Sequence, residues 1–89
     1  MHYAVVLEVK LVGSVDEGMQ MLNDIVIPNA KAQTGFQKGV WLRSAPSAGL
    51  GLVVFDTEDN ATAAMPNLKP PPGGPELLSA RVYGVTGEA

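Results

Sequence analysis

The side chains in this sequence that could do chemistry are few, and they lie on apolar segments. The candidates are Glu8, Trp41, Arg43, Arg81 and Tyr83. Successive side chains of a strand point to opposite faces, so Trp41 and Arg43 should share one face of their segment. The same spacing places Arg81 and Tyr83 on one face of another segment. Because an indole stacks on planar ligands and guanidinium and phenol groups stabilise oxyanions, this set is a candidate pocket for an acidic or phenolic ligand.

Each candidate also has a purely structural interpretation. A single tryptophan in a strand is usually a large core or interface residue, which applies to Trp41. If their faces coincide, Glu8 can meet Arg81 across neighbouring strands as an ion pair inside or at the rim of an interface, because buried charges are seldom unpaired. We favour the structural interpretation in both cases, and the sequence identifies no catalytic residue.

The residue types that most often carry catalysis and metal binding are scarce. The chain has no cysteine and a single histidine, His2, which excludes thiol chemistry and leaves too few ligands for a metal site. Gly49 and Gly51 do not belong to a G-x-G-x-x-G pattern, and no phosphate-binding loop is present. We therefore expect no metal and no bound cofactor.

Composition also argues against several classes of partner. The net charge is −3 and the six lysines and arginines are scattered, whereas nucleic-acid binding needs a concentrated basic patch. No apolar run approaches the ~20 residues that span a bilayer, and the first residues lack the pattern of a secretory signal. The sequence thus predicts a cytoplasmic protein that binds neither nucleic acid nor membranes.

The elements that must position the candidates follow from the apolar patterning. Four strands are predicted, at 2–12, 36–44, 50–55 and 77–86. Apolar residues at helical spacing place one helix after the first strand and another after the third. The order β-α-β-β-α-β is that of the ferredoxin-like α+β fold, a four-stranded antiparallel sheet with both helices on one face. The 89 residues fit one such domain, with an extended connector at 69–76 and a loose tail at 87–89.

Signals at the helix ends refine this outline. An S-x-x-E capping box at 14–17 begins the first helix, and Asp56 or Thr57 caps the second. Pro28 either ends the first helix or kinks it. We favour a kink with continuation to Gly35, because the intervening residues are acceptable helix formers.

Two helices cover only one face of this sheet, and the other face needs a partner. A half-solvated strand alternates apolar and polar residues, but segments 3–7 and 50–55 are apolar on both faces. Monomers rarely leave so large an apolar patch exposed. A loop or the tail is the alternative cover, but the connector is too polar and too rich in proline for that task. We therefore expect a homodimer in which two sheets pack face to face.

Several segments of the chain resemble the dimeric α/β-barrel superfamily, and within it the antibiotic-biosynthesis-monooxygenase-like domains. They are IPNAK at 27–31, TGF at 34–36, GVW at 39–41 and LVVF at 52–55, together with the opening strand. The resemblance implies a dimeric barrel with a pocket between the sheet and the helices of each subunit. The superfamily includes cofactor-independent oxygenases of quinol-like aromatics and haem-degrading enzymes. The haem-degrading enzymes use an Asn, a Trp and a His, and the His lies on the second helix. Residues 58–68, which form that helix here, contain no His, so haem degradation is not expected.

Three hypotheses for function follow. The first is a cofactor-independent monooxygenase or isomerase acting on a planar hydrophobic or aromatic substrate, with Trp41 positioning the ring and Arg43, Arg81 or Tyr83 stabilising an oxyanion. The second is a ligand-binding or structural homodimer without chemistry, which the shortage of titratable groups favours. The third is a module whose uncovered sheet face binds a different protein. The resemblance favours the first.

Overall fold

Four strands form one antiparallel sheet in the spatial order β2-β3-β1-β4. The computed structural model describes residues 1–89. In chain order the elements are β1 (Tyr3–Lys10), α1 (Val15–Met21), a π-helical turn (Leu22–Val26), α2 (Ile27–Lys31), β2 (Phe36–Ser44), β3 (Ala48–Phe55), α3 (Glu58–Ala64), a 3-10 helix (Met65–Leu68) and β4 (Glu76–Gly84). This order and this pairing confirm the predicted ferredoxin-like α+β fold. No helix is long and apolar enough to cross a bilayer.

The first helical run continues through Pro28, as the sequence favours. Proline has no N–H, and its ring crowds the preceding turn. The run accommodates it with the π-helical turn, in which the N–H of Ile27 donates to the carbonyl of Leu22. Helical bonding then resumes, and the N–H of Ala32 donates to the carbonyl of Pro28 at 3.2 Å. The run ends at Ala32 and does not reach Gly35, which was the predicted end.

The core lies between the helices and one face of the sheet, which we call the inner face. Its buried side chains are Val5, Leu7, Ala30, Val53, Phe55, Ala61, Ala64 and Leu68. Small alanines on the helices let the two helical runs approach the larger side chains of β1 and β3. We call the opposite side of the sheet the open face.

Gly35 joins the first helical run to β2 in a conformation that other residues rarely adopt. Its φ is +82°, and a Cβ there would clash with Oδ1 of Asp56 and lie 2.5 Å from Nδ2 of Asn60. These two side chains are hydrogen-bonded to each other at 2.8 Å. The positive φ and the clash are therefore separate costs of any side chain at this position.

We expect Gly35→Ala to lower the free energy of unfolding by roughly 2–3 kcal/mol, measured by urea denaturation. Gly73→Ala is the matched control, because Gly73 has φ +81° but open space around its Cα. That control should lose only about 1 kcal/mol. Equal losses at the two positions would show that the contact with Asp56 and Asn60 does not matter.

The open face carries apolar side chains from three strands. Alternation and register place on it Val6 and Glu8 of β1, Val40 and Leu42 of β2, Leu50 and Leu52 of β3, and Arg81 and Tyr83 of β4. Val40, Leu42 and Tyr83 are about half exposed. This agrees with the prediction from sequence that the strands are apolar on both faces.

The C-terminal tail covers one end of the open face and so provides in part the cover that the sequence analysis weighed as the alternative to a dimer. The N–H of Val85 donates to the carbonyl of His2 at 2.8 Å. The Glu88 carboxylate then bonds Nδ1 of His2 at 2.7 Å and Nζ of Lys38 at 3.1 Å, so the tail reaches from β1 to β2. Both contacts lower the pKa of the Glu88 carboxyl, and the hydrogen bond with Lys38 contributes most. Beneath this crossing, Ala4 is only 5% exposed.

Candidate functional site

A cavity of about 440 Å³ lies between the inner face and the first helical run. Its origin is visible along β3, whose inner-face positions are Gly49, Gly51, Val53 and Phe55 in that order. The two large side chains fill the core, whereas neighbouring side chains lie against the backbone at the two glycines: Val9 and Leu11 at Gly49, and Trp41 at Gly51. The cavity lies above these side chains. α1 and the proline-rich connector close the cavity from above, so the connector lines this site and does not cover the open face. The volume is in the range of small-molecule sites.

Trp41 forms one wall of this cavity because two glycines make room for its indole. Its partner across the β2–β3 pair is Gly51, and Gly39 precedes it by two residues on the same face. A Cβ on Gly51 would lie 3.1 Å from Cδ1 of the indole, and a Cβ on Gly39 would lie 2.6 Å from its Cη2. The indole therefore lies flat along the inner face and presents an apolar surface to the cavity.

The two charged side chains in the cavity lining are Arg43 and Glu17. Arg43 lies opposite Gly49 on the inner face. The ion pairs of the structure both belong to Glu88, so the Arg43 guanidinium has no carboxylate partner. It is available to an anionic or phenolic group, and its planar fork suits a carboxylate.

Glu17 is held as an anion by the start of α1. Oγ of Ser14 accepts the N–H of Glu17 at 3.1 Å, and Oε1 of Glu17 accepts the N–H of Ser14 at 3.2 Å, which confirms the predicted capping box. The bond from the Ser14 backbone lowers the pKa of the Glu17 carboxyl. A carboxyl with a lowered pKa is a weak base, so Glu17 is poorly suited to take a proton from a ligand.

We expect Ser14→Ala to destabilise the protein by about 1 kcal/mol, the usual value of a serine cap. Because the folded-state pKa of Glu17 is lowered, its contribution is present above the ordinary glutamate pKa and is lost as the pH falls below it. The substitution keeps the backbone N–H that lowers this pKa most and removes only the smaller contribution of the Ser14 hydroxyl, so it should reduce stability slightly more at neutral pH than in acid. Urea denaturation across pH measures both effects, and an unchanged difference between variants at all pH values would contradict the assignment.

The structure divides the five predicted candidates between the two faces of the sheet. Trp41 and Arg43 line the cavity, while Glu8, Arg81 and Tyr83 lie on the open face. Glu8 is paired with Ser79 across the β1–β4 ladder and forms no ion pair with Arg81, which is paired with Val6. The cavity thus contains two of the candidates, and its other walls come from residues that the sequence analysis did not single out.

The missed walls are α1 and the connector. Val15 and Met19 of α1, and Pro71, Gly74 and Pro75 of the connector, face the cavity. The sequence contains no separate signal for α1, because apolar residues at helical spacing predict a face packed on a core, whereas Val15 and Met19 are about half exposed in the structure.

A smaller cavity of about 180 Å³ adjoins the first. We call the larger one the outer cavity and this one the inner cavity. Both are bounded by Trp41, Leu7, Val26, Leu68 and Pro71. No group of three or more His, Cys, Asp and Glu side chains lies close enough to hold a metal ion.

Comparison with solved structures identifies the fold in which this cavity lies. SnoaB, a cofactor-independent oxygenase from Streptomyces nogalater, superposes with a TM-score of 0.70 at 11% identity over 98% of this chain and 95% of its own, and a mutant of it does the same. The chain shares its fold. A proposed antibiotic biosynthesis monooxygenase from Chloroflexus aurantiacus superposes with a TM-score of 0.60 at 10% identity, over 100% of this chain and 97% of its own.

The resemblance stated from sequence is thereby confirmed at the level of the fold. No protein-family model and no curated protein sequence matches the chain. At 10–11% identity, similarity to solved structures bears on the fold and leaves activity to be argued from the site.

Proposed function

We propose that this protein is a homodimer whose outer cavity binds a planar hydrophobic or aromatic molecule and oxygenates it without a cofactor. The observation that carries the proposal is an apolar cavity lined by one indole and one arginine without a carboxylate partner. The indole of Trp41 offers a flat surface for a ring, and Arg43 offers a cation for an oxyanion. The cofactor-independent oxygenase SnoaB has the same fold, which favours this chemistry.

The dimer is supported by the uncovered part of the open face. Covering about 500 Å² of apolar surface per subunit would contribute roughly 12 kcal/mol before the cost of association. The Glu88 crossing covers only the end near Ala4, and the end near Val40 and Leu42 is free for a second copy. Two sheets packed face to face would bury the exposed patch of each subunit in one symmetric contact.

The chemistry requires a substrate that supplies its own electrons. A methylene group between phenolic rings can react with O2 so that one oxygen atom becomes a carbonyl and the other leaves with the two hydrogens as water. The step begins when a phenolic hydroxyl of the substrate loses its proton to solvent, which leaves negative charge on the phenolic oxygens. The guanidinium of Arg43 would stabilise that charge, and Trp41 would hold the ring system in place.

A non-catalytic ligand-binding or structural homodimer is the second candidate. It is favoured by the lack of cavity side chains that could accept a proton from a substrate. Glu17 has a lowered pKa and is committed to the helix cap. His2, the sole histidine, is bonded to Glu88 outside the cavity. The two candidates therefore differ in whether bound ligand reacts with O2.

Native mass spectrometry of the untagged protein, followed by oxygen uptake with a hydroxylated anthrone, tests both. A dimer that binds the anthrone and transfers one labelled oxygen atom from 18O2 into the product supports the oxygenase. Binding without uptake above the uncatalysed rate supports the second candidate. A monomer without bound ligand at micromolar concentration contradicts both.

A further inference from the structure

The inner cavity adjoins the outer one, and Trp41 is one of the residues that line both. The shared boundary consists of Trp41, Leu7, Val26, Leu68 and Pro71. The inner cavity continues past this boundary to Val53 and Ile25. The two spaces are therefore successive compartments of one cleft between the sheet and the first helical run.

The strand register gives the order in which a ligand meets these residues. Along the β2–β3 pair the inner-face rows are Arg43 with Gly49, then Trp41 with Gly51, then Gly39 with Val53. The first two rows line the outer cavity, and Val53 belongs to the inner one. A rod-shaped ligand anchored at Arg43 and pointing along β2 would reach the indole before it could reach Val53.

Neighbouring glycines fix the position of this wall. Gly51 and Gly39 lie against opposite ends of the indole, one near Cδ1 and the other near Cη2. Leu7 on the adjacent strand is buried and borders both cavities, so it limits sideways movement of the ring. An indole confined in this way acts as a fixed partition.

We propose that Trp41 is a specificity-determining residue that limits ligand length by closing the outer cavity from the inner one. The proposal rests on the ligand site described under the proposed function, and it adds the class of ligand that the site accepts. Apolar acids bind between Arg43 and the indole, and longer rods of the same chemistry gain no affinity from their additional length. Removal of the indole joins the two compartments, so that the longer acids fit.

Isothermal titration calorimetry of the full chain with three rigid acids tests the proposal. The probes are benzoate and the para-linked biphenylcarboxylate and terphenylcarboxylate. With the wild type we expect terphenylcarboxylate to bind no more tightly than biphenylcarboxylate. With Trp41→Ala we expect terphenylcarboxylate to bind ten- to a hundredfold more tightly than biphenylcarboxylate, since burying one more ring contributes roughly 1.5–3 kcal/mol. Trp41→Phe should give an intermediate shift and serves as the second variant if the alanine variant does not fold.

Met19→Ala is the matched control, because Met19 lines the outer cavity and not the inner one. It should weaken all three acids by similar factors and leave their order unchanged. The same order of affinities in the wild type, Trp41→Ala and Trp41→Phe would overturn the proposal. If the wild type binds none of the acids but Trp41→Ala binds the longest, the partition stands and the proposed function fails. Absence of binding to every variant overturns both.

Discussion

A glutamate in place of Val40 is expected to convert the proposed homodimer into a monomer at micromolar concentration. Val40 lies on the open face beside Leu52, is 49% exposed in the single chain, and would be buried where two sheets pack together. Two-fold symmetry brings the new carboxylate into the interface twice, and an unpaired charge buried there costs several kcal/mol. A loss of about 4 kcal/mol raises the Kd of the dimer roughly a thousandfold. Sedimentation velocity over a concentration series measures the change.

Ile25→Glu is the control for this prediction. Ile25 is also 49% exposed, but it lies on the π-helical turn, on the opposite side of the sheet. The control therefore adds the same charge at the same exposure without touching the open face, and the dimer should persist. A wild type that is already monomeric, or equal dissociation of both variants, would contradict face-to-face packing of the sheets.

Much of the fold is predictable because local signals agree with the tertiary structure. The strand at 36–44 matches β2 as observed, and the capping residues Ser14 and Thr57 begin the two helical runs. The main errors of the sequence-based prediction concern the first and last residues of the strands and helices. β3 begins at Ala48, two residues before the predicted strand, because pairing with β2 recruits residues whose composition is that of a loop.

The site is less predictable than the fold because its parts depend on register between strands. Alternation correctly places Trp41 with Arg43, and Arg81 with Tyr83, within each strand. Whether the two pairs share a face depends on how β4 pairs with β1, and that pairing places Arg81 beside Val6 and Tyr83 beside Ala4, on the open face. The cavity lies where side chains of neighbouring segments spread over Gly49 and Gly51 and leave space above them. Sequence patterns of chemical groups do not reveal such space.

Reversal of the charge at Arg43 should have a large effect on ligand binding. We expect Arg43→Glu to weaken binding of biphenylcarboxylate by about 2 kcal/mol, a factor of roughly thirty, because Arg43 is exposed and solvent screens its charge. The substitution removes a charge-assisted hydrogen bond and brings a second carboxylate close to that of the ligand. The neutral biphenylcarboxamide should bind the wild type and Arg43→Glu with equal affinity. It carries no charge and depends on apolar contacts that the substitution leaves unchanged. Calorimetry with both ligands separates these contributions.

Arg81→Glu decides between the two arginines that the sequence proposes for the site. Arg81 lies on the open face beside Val6 and does not line the cavity, so its charge reversal should leave the affinity for biphenylcarboxylate unchanged. Its effect should fall instead on the dimer, whose interface would contain it. If Arg81→Glu abolishes binding of the acid and Arg43→Glu does not, the anion site lies on the open face and the cavity is not the functional site. The contrast follows from the alternation of faces that separates the two side chains.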